Sequence, residues 1–326
     1  MGGLGRASTT HPITSGAQAA GYSFDLVREK SMNSEHVLRT WSEARAEGLN
    51  NRAVAARLGI TETELIASAC GRFVTRLLPH TLALLRELPA LGEVKAVVRN
   101  ATAVIERAGT VRSSETTSVG VVLVQADHFE LICLSPRWSK AFALREETDR
   151  GVKRSIQFFT AAGISAAKFF LRQSSNVDAF SAVVSAYASP DQSREESTEG
   201  KVAESDGPLQ RPFAAAPGAL TTFLNLAAQL RRPLTFVARN SAASLFTSKA
   251  VERVKRSDRG GWVNVLHDEM DIHIHDDRIR YLRCVPDSGA ESGWLHWYSD
   301  EQTIALSVRC GHGWSELVRS ACAAAI

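Results

Sequence analysis

One feature of this sequence constrains its fold more than any other: the chain repeats itself. Val98-Arg99-Asn100, followed by Ala103 and Val111, is answered about 140 residues later by Ala238-Arg239-Asn240, followed by Ala243 and Val251. Further along, Phe158-Phe159-Thr160 is answered by Trp297-Tyr298-Ser299, and Phe180 more loosely by Trp314. Short strings match by chance, but these keep one order and nearly one offset. Tandem duplication of a single structural unit accounts for that.

The periodicity gives the unit its class. From Ser34 to Leu91 apolar residues recur at three and four, with Thr61 and Glu64 spaced as a capping box after Gly59. Short helices follow one another there. From Val94 the period shifts towards strands in "VKAVVRN", "SVGVVLVQ", "FELICL", "AFALREE", "RSIQFFT" and "AAKFFLR". Residues 189–208, "SPDQSREESTEGKVAESDGP", are almost without large apolar side chains and read as a linker. Beyond them come the helix "GALTTFLNLAAQL" and a second strand series, "LTFVARN", "WVNVLH", "MDIHIH", "RIRYLRCV", "WLHWYS" and "TIALSVRC". The expected fold is α+β, a tandem repeat of two units, each a large meandering antiparallel sheet flanked by helices. The expected boundaries are a flexible lead-in over 1–33, a first repeat over 34–188, the linker, and a shortened second repeat over 209–326.

Composition narrows the function by exclusion. With 38 Lys+Arg against 35 Asp+Glu the formal net charge is only +3, so no whole-chain field favours nucleic acid. Cys70, Cys133, Cys284, Cys310 and Cys322 are scattered, with neither the C-x-x-C spacing of zinc sites nor a disulfide framework, which fits reduced thiols in a cytoplasm. The first 30 or so residues lack the apolar core of a signal peptide, and no window approaches the roughly 18 apolar residues of a membrane helix. No G-x-G-x-x-G follows a strand, so the chain carries no flavin or nicotinamide fingerprint.

Two local patterns carry chemistry. In "MDIHIHDDRIR" the strand period places His273 and His275 on one face, within reach of a single metal or haem iron. A two-histidine metal site needs a third ligand, and downstream only His296 and His312 are available. "NRAVAARLGITETELIASACG" has the shape of a helix-turn-helix, but its second helix opens on the acidic "TETEL", which phosphates would repel. A helical hairpin packed on the sheet is the better reading.

Strung along the chain, "GEVKAVVRNATAVIERAG", "RWSKAFAL", "RGVKRSIQFFTAAG" with "AAKFFLR", and "GGWVNVLHDEMDIHIHDDRI" resemble the cytoplasmic haemin-utilisation proteins of the HemS/ChuS type over about residues 36 to 320. The resemblance implies a two-repeat protein binding one haem in a cleft between its halves. It also implies either oxidative haem breakdown with an external electron donor or delivery of haem to a haem oxygenase, with a haem transporter as a further partner. Arg99 matches the family's distal arginine, and Trp138 matches a family aromatic. Arg239 and Arg309 complete the arginines expected around the cofactor. Without the family, Arg99 reads equally as a strand-end ion pair and Trp138 as core.

One departure stands out. The family's axial histidine lies in an "L-T-x-V-H" segment at the start of the second half, whereas this chain has no histidine between His128 and His267. His273 is then the first candidate iron ligand and His80 the second, although His80 also reads as a water-facing residue at a helix start. The alternative is a relative that has lost haem coordination and acts as a regulatory or DNA-linked protein.

Overall fold

The computed structural model describes residues 34–118, 120–149, 151–198, 212–257, 260–288, 291–311 and 313–323. The expected lead-in over 1–33 and the second half of the expected linker, 199–208, therefore lie outside the described residues.

Three helices precede the first strand, α1 (Ser34–Ala46), α2 (Asn51–Leu58) and α3 (Glu62–Ala67), and α4 (Thr81–Arg86) follows it. The expected capping box is formed. Glu64 N donates to Thr61 Oγ1 at 3.2 Å, while Thr61 N donates to Glu64 Oε2 at 2.7 Å, so two orphan amides of α3 are satisfied. Gly59 ends α2 in the left-handed region (φ 69°), returning its N–H to the carbonyls of Ala55 and Ala56. Later come α5 (Val177–Tyr187), α6 (Ala219–Leu230) and α7 (Trp314–Ala323).

The first repeat contributes strands β1 (Val74–Leu77), β2 (Glu93–Arg99), β3 (Ala103–Thr116), β4 (Val121–Ala126), β5 (Glu130–Leu134), β6 (Lys140–Thr148), β7 (Gly151–Phe159) and β8 (Ser165–Leu171). The second contributes β9 (Phe213–Ala214), β10 (Pro233–Arg239), β11 (Ala243–Ala250), β12 (Arg253–Arg256), β13 (Trp262–His267), β14 (Met270–His275), β15 (Ile279–Pro286), β16 (Gly293–Ser299) and β17 (Ile304–Cys310). The duplication is visible element by element, with β2, β7 and β8 answering to β10, β16 and β17. Phe180 of α5 and Trp314 of α7 are both buried in the shared core.

The sheets are not the two separate meanders that the strand pattern predicts. One sheet runs β1-β6-β7-β8-β2-β3-β14-β13-β12, the other β3-β4-β5-β11-β10-β17-β16-β15-β9, and every ladder is antiparallel. Each repeat thus lends a hairpin to the other: β13–β14 extends the first-repeat sheet and β4–β5 extends the second. The carrier is β3, 14 residues long, which pairs with β14 through Ala103–Arg107 and with β4 from Val111 onward, with a bulge between Val111 and Ser113.

The repeated asparagines fasten the halves together. Asn100 Nδ2 donates to the carbonyls of Arg239 and Ala305 at 3.0 and 2.9 Å, and Asn240 Nδ2 donates to those of Arg99 and Ala166 at 3.1 and 3.0 Å. Each Oδ1 accepts from the two amides that close its own turn, Thr102 and Ala103 in one case, Ala242 and Ala243 in the other. Every bonding group of each amide is used, so buried carbonyls at the join are not left unpaired.

One apolar core fills the space shared by both sheets, and α4, α5, α6 and α7 all contribute buried side chains to it. Phe158 packs on Trp138 at 4.9 Å, and its counterpart Trp297 packs on Phe223 at 5.8 Å. On the opposite face of the first-repeat sheet, Trp41, Val54, Leu65 and Ile66 of α1–α3 are buried outside that core, so these helices form a separate roof. The roof sits close: a Cβ on Gly163, in the β7–β8 turn, would stand 2.6 Å from Thr63 Oγ1. Residues 189–198 run along the first repeat, where Gln192 Oε1 accepts from Arg76 N at 2.9 Å and Arg76 ion-pairs with Glu196.

Candidate functional site

Under the roof lies a cavity of about 490 Å³, inside the range of small-molecule sites. Its floor is the first-repeat sheet and its ceiling α1–α3, but one wall belongs to the second repeat, because the exchanged β13–β14 hairpin brings Trp262, Asn264 and His273 into it.

Register explains who meets whom. Arg99 pairs with Val104, Val104 with His273, and His273 with Asn264, so these residues form one row across four strands. At ~4.8 Å per strand, the Arg99 and His273 backbones stand about 10 Å apart on one face. The next row is Gln157, Lys168, Val97 and Glu106. Apolar surface comes from Val97, Val104, Phe170, Trp262 and Leu49.

Charge is concentrated here. Arg45, Arg52, Arg99, Lys153 and Lys168 line the cavity against Glu62, Glu106 and Glu146. Glu62, almost fully buried at the start of α3, ion-pairs with Lys168, and Arg45 binds Glu146 at 2.5 Å. Arg52 donates to the Asn100 carbonyl at 3.0 Å. The Lys153 ammonium sits 4.5 Å over the Phe170 ring, and loss of water there pushes its pKa below the usual lysine range, although the residue as a whole is exposed.

His273 and His275 share a face, as the alternation predicts, with Ile272 and Ile274 buried behind them. Their surroundings differ. His273 Nδ1 is 2.6 Å from Asn264 Oδ1, whereas the His275 ring lies tilted against Trp262, centroids 5.1 Å apart, and does not line the cavity. Among the described residues no group of three or more His, Cys, Asp or Glu side chains could hold a metal ion. His296 hydrogen-bonds Ser307 in the other sheet at 2.8 Å, and His312 lies outside the described residues.

The remaining sequence candidates fall elsewhere. Trp138 is core, its Nε1 donating to the Ala242 carbonyl at 2.8 Å across the repeats. Arg239 holds the place of Arg99 in the second-repeat sheet and reaches Ser307 Oγ at 3.3 Å. Arg309 is exposed and pairs with Asp287 at 2.8 Å. His80 caps α4 without a side-chain cap bond, exposed and away from the cavity. The helix-turn-helix segment is α2 and α3, which bury Val54, Ala55, Leu65, Ile66 and Ala67, and the Glu62 that opens α3 is bonded inside the cavity.

Comparison with known proteins places the chain. Residues 59–187 match the family described as the haemin-degrading HemS.ChuX domain. The hemin transport proteins HmuS of Yersinia pestis and HemS of Yersinia enterocolitica are 33% and 31% identical over 151 and 156 residues, 46% and 47% of this chain. Over these residues the chain is similar to the HemS/ChuS family. Those matches span under half of either Yersinia relative, 44% and 45%. The HemS/ChuS fold extends further: holo-PhuS, a heme-binding protein of Pseudomonas aeruginosa, superposes with a TM-score of 0.79 at 24% identity, over 89% of this chain and 98% of its own. The heme-degrading enzyme ChuS of Escherichia coli O157:H7 gives 0.77 at 19% identity, over 88% and 99%.

Sequence reasoning missed Asn264, Lys168, Lys153 and Glu62. Asn264 had a readable signal. If Asp268-Glu269 is a two-residue turn, His267 pairs with Met270 and Asn264 falls opposite His273. Glu62 and Lys168 carried none, being 106 residues apart.

Proposed function

We propose that this chain binds haem in the cavity beneath α1–α3, as a cytoplasmic protein of haem-iron utilisation. The match of residues 59–187 to the haemin-degrading HemS.ChuX domain supports it, and so do the haem-related names of the similar proteins. The observation that carries it is one row of the sheet: a histidine from the second repeat and an arginine from the first, about 10 Å apart in a cavity that combines a few apolar side chains with more cations than carboxylates.

The residues fit the group. Val97, Val104, Phe170 and Trp262 supply faces for the porphyrin, and Arg45, Arg52 and Lys153 supply cations for its propionates. His273 supplies an imidazole, and Arg99 a guanidinium able to bond a propionate or a ligand on iron. When bound, haem itself supplies iron that binds oxygen and accepts electrons from an external donor. The protein's own part is to hold the ring, neutralise its carboxylates and limit water. Partners on this reading are a haem transporter that delivers the molecule and a haem oxygenase that receives it.

Titration of the purified chain with haemin is expected to give a saturable one-to-one Soret shift, lost or altered in His273→Ala. A purely linear rise in absorbance would overturn the reading. Adding ascorbate then separates the two uses of the site: a carrier keeps its Soret band, and a degrading enzyme loses it.

A further inference from the structure

His273 and Asn264 face each other across β14 and β13, with His273 Nδ1 2.6 Å from Asn264 Oδ1. Taken alone this contact is ambiguous twice over, since an imidazole carries its proton on either nitrogen and a carboxamide can present oxygen or NH₂. A third group resolves both. Asn264 Nδ2 donates to the backbone carbonyl of Lys255, on the next strand, at 3.2 Å. A carbonyl only accepts, so turning the amide over would set two oxygens against each other. Oδ1 therefore faces His273, and because Oδ1 also only accepts, the proton of the contact belongs to His273 Nδ1.

A neutral imidazole has one ring proton. We infer that Asn264 is a positioning residue, locking His273 in the Nδ1–H tautomer so that this side chain offers the lone pair of Nε2 to the cavity. The purpose of that arrangement, presenting a ligand to haem iron, rests on the proposed function; the arrangement itself does not. Free histidine in water favours the opposite tautomer, so an unassisted side chain would have to move its proton before using Nε2. The bond also fixes ring rotation, and a hydrogen bond from Nδ1–H raises the basicity of Nε2. His275 is not prepared in this way. Its Nδ1 is buried without a hydrogen-bond partner among the described residues, and its ring lies against Trp262.

The test begins without haem. Long-range ¹H–¹⁵N correlation spectra of the haem-free full chain, at a pH where His273 is neutral, should show Nδ1 protonated and Nε2 bare. Asn264→Leu, similar in size but without an acceptor, should move His273 towards the Nε2–H form, and Asn264→Asp should retain Nδ1–H. An Nε2–H resonance in the parent, which needs no variant to observe, overturns the inference, as does an unchanged tautomer in a folded Asn264→Leu protein. With haemin added, Asn264→Leu should weaken binding about 10–100-fold, the usual cost of losing such an outer partner, and Asn264→Asp should restore it. The expected tautomer together with haemin binding indifferent to His273→Ala supports the inference and overturns the haem-ligand role.

Discussion

The two sheets are copies, yet they present different chemistry at equivalent points. Where the first-repeat sheet has the row Arg99, Val104, His273 and Asn264, the second has Arg239, Ser244, Ile132 and Leu123. Where the first has Gln157, Lys168, Val97 and Glu106, the second has His296, Ser307, Val237 and Phe246. The arginine survives in both copies, while the histidine and its asparagine stand on one side only. The roof differs too, since among the described residues the second repeat has no counterpart of α1–α3. Duplication preserved the ladders, which backbone bonding dictates. The cleft-facing side chains, which it does not dictate, were free to diverge, and chemistry collected where helices exclude water.

The largest effects should come from the shared core. Phe158→Ala and Trp297→Ala, at matching positions, should each cost ~3–5 kcal/mol, and urea unfolding of either variant should remain a single transition. The exchanged hairpins make each sheet depend on the other repeat. A biphasic curve for Trp297→Ala, with the first repeat surviving, would break that picture.

Next comes the roof. Glu62→Ala strands a nearly buried Lys168 and should cost roughly 3–5 kcal/mol, whereas Ser307→Ala, at the position matching Lys168, removes an ordinary hydrogen bond to His296 worth about 1 kcal/mol. Equal losses in denaturant melts would mean that the first sheet gains nothing special from its cover. Haemin affinity should separate the halves further. His273→Ala should weaken binding at least about 10-fold by Soret titration, while Arg239→Ala, outside the cavity, should stay within about 2-fold. A larger loss from Arg239→Ala would move the site to the second sheet.

The smallest expected effect is on acid stability. Asp127 in the first repeat is held below the usual aspartate range by its hydrogen bond from Arg112, and Asp300 in the second by that from Arg278. A carboxyl whose folded pKa is depressed adds stability that is complete above its unfolded value, about 3.9, and disappears as pH falls through the folded one. Carboxyl NMR titration should place both midpoints below that value. Arg112→Met should raise Asp127 and leave Asp300 unmoved, and a shift in both would show the two repeats to be electrostatically coupled.

Much of this was legible beforehand. The offset strings located the duplication because Asn100 and Asn240 do the same work in both halves, and the capping box at Thr61 and Glu64 formed where local rules put it. Local rules failed at Ala103–Thr116 and Ala243–Ala250, which the strand pattern passed over. In the first of these Gly109 and Arg107 interrupt alternation, and Arg107 is buried although charged, its guanidinium near the His128 carbonyl. Those are the strands against which the exchanged hairpins pair.

What the sequence determined by itself is everything that depends on near neighbours: strand alternation, the common face of His273 and His275, helix caps, and the existence of two copies. Only the tertiary structure decided that His273 would enter the first-repeat cavity and not its own repeat's sheet, that Asn264 would bond it, and that Glu62 would meet Lys168. The reason is physical. A hairpin satisfies its backbone equally well against either copy of a duplicated strand, so the pairing is settled by long-range packing, and no local pattern records it.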